Sequence, residues 1–314
     1  MLVDVRKIWD AAPHNAFTDL IRLGDRWLCT FREAAGHMSS DGKVRVIASA
    51  RGEDWSSLAL LETPSSLPDL RDPKITAMPD GRLMLTAAAA RREGQTTELR
   101  MYTWFSSDGA TWSAPVEVGE KNIWLWRPTW HRGRAYSVGY HIARQWFVRL
   151  YASEDGRSLE TVVPRLFEES FPNEASLVFR ADESCCCLLR RDGAVRTAQF
   201  GTAAPPYTEW TWRDLGRRIG GPDAICLPDG RLLAAGRLYE GETDDDARTA
   251  LWWLDPQGPA LEEFLRLPSG GDTSYPGLVL HDGLLWVSYY ASHEGKTSIY
   301  LAKVKLPPPA KGKP

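Results

Sequence analysis

The sequence predicts an all-β fold, and two observations support that class. Tight hairpin turns such as Pro79-Asp80-Gly81 recur along the chain between apolar residues that favour strands. The composition, with 14 Trp, 26 Gly and 21 Pro among 314 residues, is typical of many short strands joined by many turns. Segments with helical periodicity are hard to find.

The turns recur at a nearly constant period. When one residue marks each turn, the steps between successive markers are 57, 52, 49, 48 and 53 residues. The markers are Gly24, Gly81, Gly133, Asp182, Gly230 and Gly283. A period near fifty with several short strands per unit is the signature of a β-propeller, whose blades are four-stranded antiparallel sheets. The sequence therefore predicts a six-bladed β-propeller.

We expect one propeller domain over residues 1–306. The predicted blades lie at about 17–63, 70–118, 124–163, 171–215, 219–267 and 275–306. Residues 2–10 alternate like a strand and precede the first turn, so we expect this N-terminal strand to complete blade six and leave no open sheet edge. The Pro- and Lys-rich tail, residues 307–314, is expected to be disordered.

Charge and hydropathy argue against two classes of partner. A net charge of −3 offers no basic surface for nucleic acid. No apolar run approaches the roughly 20 residues that a membrane span needs. The first residues lack the pattern of a signal peptide, so we expect a cytoplasmic protein. The sequence does not specify an oligomeric state.

The cysteines predict buried free thiols. Three of the five, Cys185, Cys186 and Cys187, are consecutive. Neighbouring residues of a strand point to opposite faces, so this triplet suits neither a metal cage nor a disulfide framework. We predict no metal site and no cofactor.

A second type of turn recurs between the third and fourth strands of the first three blades. Its copies, at residues 49–55, 106–112 and 153–159, share a Ser, a Gly three residues later and a large apolar residue three after that. The copy Ser106-Ser107-Asp108-Gly109-Ala110-Thr111-Trp112 resembles the Asp box of the sialidase superfamily, whose propellers have six blades. Because Asp boxes also occur in other propellers, this resemblance implies the fold and not the activity.

Polar residues precede or begin the first strand of each blade, which lines the central channel. They are Asp19, Asp72, Arg127, Glu174, Asp223 and Tyr275. We expect them to form a ring at one mouth of the channel, and a concave mouth with convergent polar groups is the default ligand site.

Two members of the ring match the sialidase pattern residue by residue. The segment around Asn173-Glu174 resembles the one that carries the glutamate partner of the nucleophile, and the segment around Ser274-Tyr275 resembles the one that carries the nucleophilic tyrosine. The resemblance implies that Tyr275 attacks the sugar while Glu174 takes its proton. A phenol of pKa near 10 needs such a base, and sialidases are the tyrosine exception among glycosidases.

The arginines that hold a sialic carboxylate are matched only in part. The resemblance implies that Arg190, or its neighbour Arg191, and Arg248 bind the substrate. Where sialidases have Arg-Ile-Pro in the first blade, this chain has Thr18-Asp19-Leu20. The loss of a bidentate cation predicts a sugar other than ordinary sialic acid.

Other residues complete the predicted binding site. We assign Asp19, Asp72, Arg127, Asp223 and Arg32 to substrate binding. Trp126, in the loop before the first strand of blade three, is expected to stack on a sugar.

The general acid of sialidases is an Asp in the loop after the second strand of blade one. The equivalent loop here, residues 32–42, contains Asp41. Asp41-Gly42 is equally a hairpin turn, and Glu33 and His37 in the same loop are rival proton donors.

The sequence thus favours a retaining, sialidase-like glycoside hydrolase with Tyr275 as nucleophile and a carbohydrate as its partner. Two alternatives remain open. One is a propeller that binds carbohydrate or protein without catalysis. The other is a glycosidase that uses a carboxylate pair among Asp72, Glu174 and Asp223.

Overall fold

The computed structural model describes residues 1–63, 66–93, 96–143, 146–241, 246–256, 258 and 261–308. Within these ranges the chain forms β-strands and no α-helix, which confirms the predicted all-β class. Over the same ranges, no helix has the length and apolar character needed to cross a membrane.

The chain begins with β1 (Leu2–Trp9), and three four-stranded antiparallel sheets follow it. The first sheet contains β2 (His14–Leu23), β3 (Arg26–Ala34), β4 (Lys43–Ser49) and β5 (Ser56–Leu61). The second contains β6 (Asp69–Ala77), β7 (Leu83–Glu93), β8 (Thr96–Ser106) and β9 (Val116–Val118). The third contains β10 (Ile123–His131), β11 (Arg134–His141), β12 (Val148–Ser153) and β13 (Glu160–Phe167).

The fourth sheet has seven strands. They are β14 (Pro172–Phe179), β15 (Cys185–Arg191), β16 (Thr197–Ala203), β17 (Thr211–Cys226), β18 (Leu232–Leu238), β19 (Arg248–Leu254) and β20 (Leu261–Arg266). The 16-residue strand β17 pairs with β16 over its first half and with β18 over its second. The predicted boundary between blades four and five therefore falls inside one continuous strand.

The fifth sheet closes the chain on itself. It contains β21 (Thr273–His281), β22 (Leu284–Ala291) and β23 (Ser298–Lys305), and β1 is its outer strand, antiparallel to β23. Closure by the N-terminal strand is thus confirmed. Of the tail predicted to be disordered, residues 309–314 lie outside the described residues.

The six predicted hairpin turns each join the first and second strands of a unit. Each turn has a left-handed residue with φ between 57° and 86°: Gly24, Gly81, Gly133, Glu183, Gly230 and Gly283. In the third and sixth turns the preceding residue, Arg132 or Asp282, also has a positive φ, of 48° or 49°. In the fourth turn this residue is Glu183, one position after the Asp182 marker. Glycine accepts such angles without strain, which explains its use in the other five turns.

The recurrent turn between third and fourth strands has the hydrogen bonds expected of its residues. In the second sheet, Gly109 N donates to Ser106 Oγ at 2.8 Å, and Asp108 Oδ1 accepts from two backbone amides. In the third sheet, Gly156 and Asp155 repeat this arrangement. The side chains replace missing backbone partners and so fix the turn.

The apolar core lies between neighbouring sheets. Val44 of β4, for example, packs in one cluster with Leu85 of β7. The cysteine triplet alternates as a strand requires, because Cys185 and Cys187 join one cluster and Cys186 another. The cysteines are free, and burial raises the pKa of Cys186 to about 11.

The first strands of the units surround a channel. A cavity of about 270 Å³ is lined by residues from β2, β6, β10, β14, β17 and β21. The sheets are therefore arranged around a central axis, as in a propeller.

Candidate functional site

Each of the six channel-lining strands contains a bulge, and that of β17 follows the point where its partner changes from β16 to β18. The pairing register breaks at residues 16–19, 71–74, 126–129, 172–175, 220–223 and 274–277. In four of these ranges the third residue is a proline, which has no backbone N–H to donate to the hydrogen-bond ladder. A bulge bends the strand and re-aims its side chains, so these residues turn out of the regular sheet pattern.

The bulges carry backbone strain. Phe17, Asp72, Arg127 and Tyr275 have φ of 63°, 47°, 42° and 49°. Bulky residues rarely adopt positive φ, and each such residue costs on the order of 1–3 kcal/mol. Strain of this kind collects at functional sites, which draws attention to this end of the channel.

Tyr275 and Glu174 meet here although they lie 101 residues apart in sequence. The Tyr275 hydroxyl donates to Glu174 Oε1 at 2.6 Å. The other oxygen, Oε2, accepts from Arg190 Nη1 at 2.8 Å and from Gly221 N at 2.7 Å. The carboxylate is therefore fixed by three donors and faces the phenol with one oxygen.

The electrostatics of this pair set the location of the shared proton. Burial would raise the pKa of Glu174, but Arg190 and the hydrogen bonds from Tyr275 and Gly221 together hold it below its ordinary value. Burial, with the Glu174 charge acting in the same direction, raises the pKa of Tyr275 well above 10. In the resting state the proton therefore lies on the phenol and the carboxylate is the acceptor.

Three arginines interact electrostatically with the Tyr275 phenol: Arg71, Arg190 and Arg237. Arg190 Nη1 lies 3.3 Å from the Tyr275 oxygen. Arg237 lies 5.5 Å from the centre of the Tyr275 ring and donates to the Thr273 carbonyl at 2.9 Å. We call Tyr275, Glu174 and these arginines the tyrosine cluster.

Sequence reasoning missed two of these arginines. The sequence assigns Arg32 and Arg248, and not Arg71 and Arg237, to substrate binding. Arg248 is about one-third exposed and donates to the adjacent Ala247 carbonyl at 2.8 Å. Arg32 is fully buried. Its Nε and Nη2 contact Asp69, and its Nη1 and Nη2 donate to the carbonyls of Gly36 and Ser39. Neither side chain is brought into the tyrosine cluster.

The predicted ring divides into two groups. Asp72, Glu174 and Tyr275 form one group, in which the charge of Glu174 acts on Asp72. Asp19 and Asp223 instead bind Arg127 inside the channel, at 2.8 and 3.2 Å.

With Lys74, these three residues form what we call the channel group. Lys74 donates to the Thr18 carbonyl at 3.1 Å, and its pKa falls to about 8, mainly because of burial and Arg127. The channel group is paired internally, so its charges are neutralised by one another.

Trp126 packs against Tyr275 and is buried. Its ring contacts Tyr275 edge-on at 5.9 Å and is only 2% exposed. A ring that stacks on a sugar needs an open face, which Trp126 does not present. It supports the tyrosine ring from below instead.

Asp41 stabilises its own loop. Both of its oxygens accept from Ala35 N, at 3.1 and 3.2 Å. Hydrogen bonds from Ser39 first and from Ala35 hold the pKa of Asp41 below its ordinary value despite partial burial. A carboxylate held in this way is a poor proton donor near neutral pH.

A cluster that sequence reasoning missed lies beside the tyrosine cluster. His14 Nε2 and His37 Nδ1 both contact Asp272 Oδ2, at 2.9 and 2.7 Å. The other oxygen of Asp272 accepts from Tyr290 and Arg237, at 2.8 and 3.3 Å. These residues lie far apart in sequence, and no spacing rule would have joined them.

The same cluster is the one set of described residues whose geometry suits a metal ion, since its three ligand atoms lie within 4.8 Å of one another. A metal on His14 Nε2 would leave Nδ1 as the N–H group. That atom is buried without a hydrogen-bond partner in the described chain. Metal-bound histidines normally donate this proton, so the arrangement fits a hydrogen-bonded cluster better than a metal centre.

No protein-family model matches the sequence, and no curated protein matches it. Solved structures match in fold. A protein of unknown function from Dyadobacter fermentans has a TM-score of 0.85 at 20% identity, over 98% of this chain and 99% of that one. An α-L-arabinanase from Penicillium chrysogenum, solved with arabinobiose, has a TM-score of 0.70 at 13% identity, over 96% and 98%.

A sialidase from Streptococcus pneumoniae matches with a TM-score of 0.69 at 10% identity, over 96% of this chain and 70% of that one. The α-L-arabinofuranosidase of Fusarium graminearum, solved with arabinobiose, matches with a TM-score of 0.73 at 11% identity, over 97% and 98%. This chain therefore has a sialidase-like propeller fold. At these identities the likeness concerns the fold alone.

Proposed function

We propose that this protein is a retaining glycoside hydrolase in which Tyr275 is the nucleophile and Glu174 is its base. The 2.6 Å hydrogen bond from the Tyr275 hydroxyl to Glu174 Oε1 carries this proposal. A phenol attacks weakly at its ordinary pKa, and a carboxylate that removes its proton makes it competent. The proposed architecture is one six-bladed domain over residues 1–306, in which β17 ends the fourth blade and begins the fifth.

The reaction takes two steps. The Tyr275 oxygen attacks the anomeric carbon while its proton passes to Glu174, and the leaving oxygen takes the electron pair of the broken bond together with a proton from an acid. Water then attacks the same carbon and gives one proton to the group that acted as the acid, the bond to Tyr275 breaks, and Glu174 returns its proton to the phenol oxygen. Each step inverts the anomeric carbon, so the two together retain its configuration.

The case for an anionic substrate rests on the three arginines of the tyrosine cluster, each of which also contacts a carboxylate of the protein. Three guanidinium groups act on the phenol, and arginine recognises carboxylates in a bidentate manner. A neutral tyrosine also approaches a carbon that bears a carboxylate without the repulsion an Asp or Glu would meet. Thr18 occupies the place of the first sialidase arginine and is buried, donating to the Tyr275 carbonyl at 2.8 Å. We therefore propose an anionic sugar other than ordinary sialic acid.

The first test compares wild type and Tyr275→Phe on a panel of aryl glycosides that includes a sialoside, a uronide and an arabinofuranoside. We expect wild type to hydrolyse one of them and the variant to lose at least about 10³-fold in kcat, because the nucleophile is absent. Tyr289→Phe is the matched control. Tyr289 is a buried tyrosine whose hydroxyl donates to the Pro268 carbonyl at 2.8 Å, and its variant should keep wild-type activity.

A carboxylate-pair hydrolase is the second candidate, and one observation favours it. Burial raises the pKa of Asp72, and the charge of Glu174 acts in the same direction against Arg71 and Lys74. An acid of raised pKa beside an ionised carboxylate is a pattern of ordinary glycosidases. If Tyr275→Phe keeps its turnover while Asp72→Asn loses it, this candidate replaces the first. If wild type hydrolyses no glycoside, the binding propeller is the better account.

A further inference from the structure

We propose that His37, oriented by Asp272, is the proton donor to the leaving oxygen in this site. The inference rests on the proposed function and names the acid that the two-step reaction requires. The resemblance implies that role for Asp41, but both oxygens of Asp41 accept from the Ala35 amide. The loop after the second strand of the first unit therefore supplies a different residue for the same task.

The two nitrogens of His37 are in different situations. Nδ1 lies 2.7 Å from Asp272 Oδ2, whereas Nε2 has no hydrogen-bond partner within the described part of the chain. The side chain is 41% exposed, so the imidazole lies in part at the surface. A histidine that donates one N–H to a buried carboxylate and presents the other nitrogen to substrate has the arrangement of an acid–base catalyst.

Asp272 is well suited to orient this imidazole. Its Oδ1 accepts from Tyr290 and Arg237, which leaves Oδ2 for the histidines. Burial would raise the pKa of Asp272, but the hydrogen bonds of His14 and His37 and the Arg237 charge hold it well below its ordinary range. The carboxylate stays ionised and stabilises the protonated imidazole beside it.

His14 acts as a second positioning residue. Its Nε2 contacts the same Asp272 oxygen at 2.9 Å, and its ring lies edge-on to that of His37 at 5.5 Å. Unlike His37, it is buried, with 8% of its side chain exposed. His14 therefore fixes the carboxylate and cannot itself reach a substrate.

The position of His37 relative to Tyr275 fits the role. The buried Phe17 ring lies between them, 5.2 Å from His37 and 5.1 Å from Tyr275, edge-on to both. Arg71 Nη1 donates to the His37 carbonyl at 3.0 Å and ties the loop to the tyrosine cluster. His37 and Tyr275 therefore both pack against the Phe17 ring.

The protons balance over the two steps. In the first, the Nε2–H of protonated His37 passes to the leaving oxygen as its bond to the anomeric carbon breaks. In the second, neutral Nε2 takes a proton from the attacking water, which restores the protonated imidazole. Asp272 keeps its charge throughout, and no further reactant is required.

The experiment measures kcat/KM of wild type and His37→Gln on two aryl glycosides of the sugar that wild type hydrolyses. One has the good leaving group 2,4-dinitrophenol and the other has unsubstituted phenol. Glutamine keeps a hydrogen bond to Asp272 and cannot donate a catalytic proton. We expect about a 10²- to 10⁴-fold loss on the phenyl glycoside and less than about 10-fold on the dinitrophenyl one, because only a poor leaving group needs the acid.

His281→Gln is the matched control, since His281 also contacts an Asp, at 3.1 Å, at the far end of β21. It should behave as wild type on both substrates. An equal loss on both substrates in His37→Gln would give His37 a structural role and overturn the proposal. So would a selective loss in Asp72→Asn or Asp41→Asn instead. Failure of wild type to hydrolyse any glycoside would overturn the proposed function, and this inference with it.

Discussion

Tyr275 is held by strain and by buried polar contacts together. Its φ of 49° is unfavourable for an aromatic residue, and Ser274 before it has φ of 97°. Trp126 and Phe17 pack edge-on against the ring, and Glu174 holds the hydroxyl. These contacts persist only because the surrounding sheets over-determine the backbone, which is how a fold presents a reactive side chain in one orientation.

The buried carboxylate of Asp223 predicts a pH-dependent stability. Burial raises its pKa to about 6, with Asp19 acting in the same direction against Arg127. The unfolded chain has an Asp pKa near 3.9, so the folded protein holds this proton to higher pH. The free energy of unfolding therefore falls as pH rises from about 4 to about 6.

Asp223→Asn should remove this pH-dependent decrease in the free energy of unfolding. The decrease amounts to at most about 3 kcal/mol, at 1.36 kcal/mol per pKa unit. Urea unfolding of both proteins at several pH values between about 4 and 7 measures it. Asp80→Asn, an exposed Asp paired with Arg82, serves as the control and should keep the fall. If the free energy of unfolding of Asp223→Asn falls with pH as steeply as that of wild type, Asp223 is not the group responsible.

At the scale of the element, β17 joins two units and also supports the site. Its bulge places Gly221 against the tyrosine cluster, where Gly221 N donates to Glu174 Oε2. Gly221 has φ of +54°, and a Cβ there would lie 2.6 Å from the Tyr275 ring. Only glycine satisfies both the conformation and the contact.

Gly221→Ala is therefore expected to displace Tyr275 and lower kcat/KM by at least about 10²-fold, since a misplacement near 1 Å can have that effect. Gly216→Ala in the same strand is the control, because Gly216 has φ of +65° and no atom within 4 Å of the added Cβ. Both variants bear a similar backbone strain of about 1–2 kcal/mol. Equal activity in the two variants would show that Tyr275 tolerates the contact.

In the molecule as a whole, strands from the two ends of the chain pair with each other and close the propeller. β1 is the outer strand beside β23, and Trp9 Nε1 donates to Glu33 of the first sheet at 2.6 Å. Through these contacts the last unit is tied to the first. Without β1, the edge of β23 would present unpaired backbone groups to solvent.

Removal of residues 1–9 should lower the thermal unfolding midpoint by more than about 5 °C and promote association through the open edge. Differential scanning calorimetry and light scattering measure the two effects. A synthetic peptide of residues 1–10 added to the truncated protein should restore the midpoint, whereas a scrambled peptide should not. An unchanged midpoint after truncation would mean that the other sheets close the ring without β1.

Local chemistry explains which parts of the fold were predictable. Whether a turn residue adopts a left-handed conformation depends on the residues next to it in sequence. Gly81 and Gly230 therefore indicate their turns without any information on tertiary contacts. The bulges also have a sequence signal, because the dipeptides Arg127-Pro128 and Tyr275-Pro276 place a proline inside a predicted strand. Proline inside a strand indicates a bulge.

The all-β class, the six turns, the closing strand and the candidate pair Tyr275 and Glu174 follow from the sequence, because strand and turn signals are local and the resemblance is local too. The approach of Arg71 and Arg237, rather than Arg32 and Arg248, to the tyrosine cluster depends on the tertiary fold. The fold also separates the channel group from the tyrosine cluster and joins His14, His37 and Asp272. The physical reason is that such contacts join residues from different strands of the ring, and their meeting depends on how the bulged strands close around the channel.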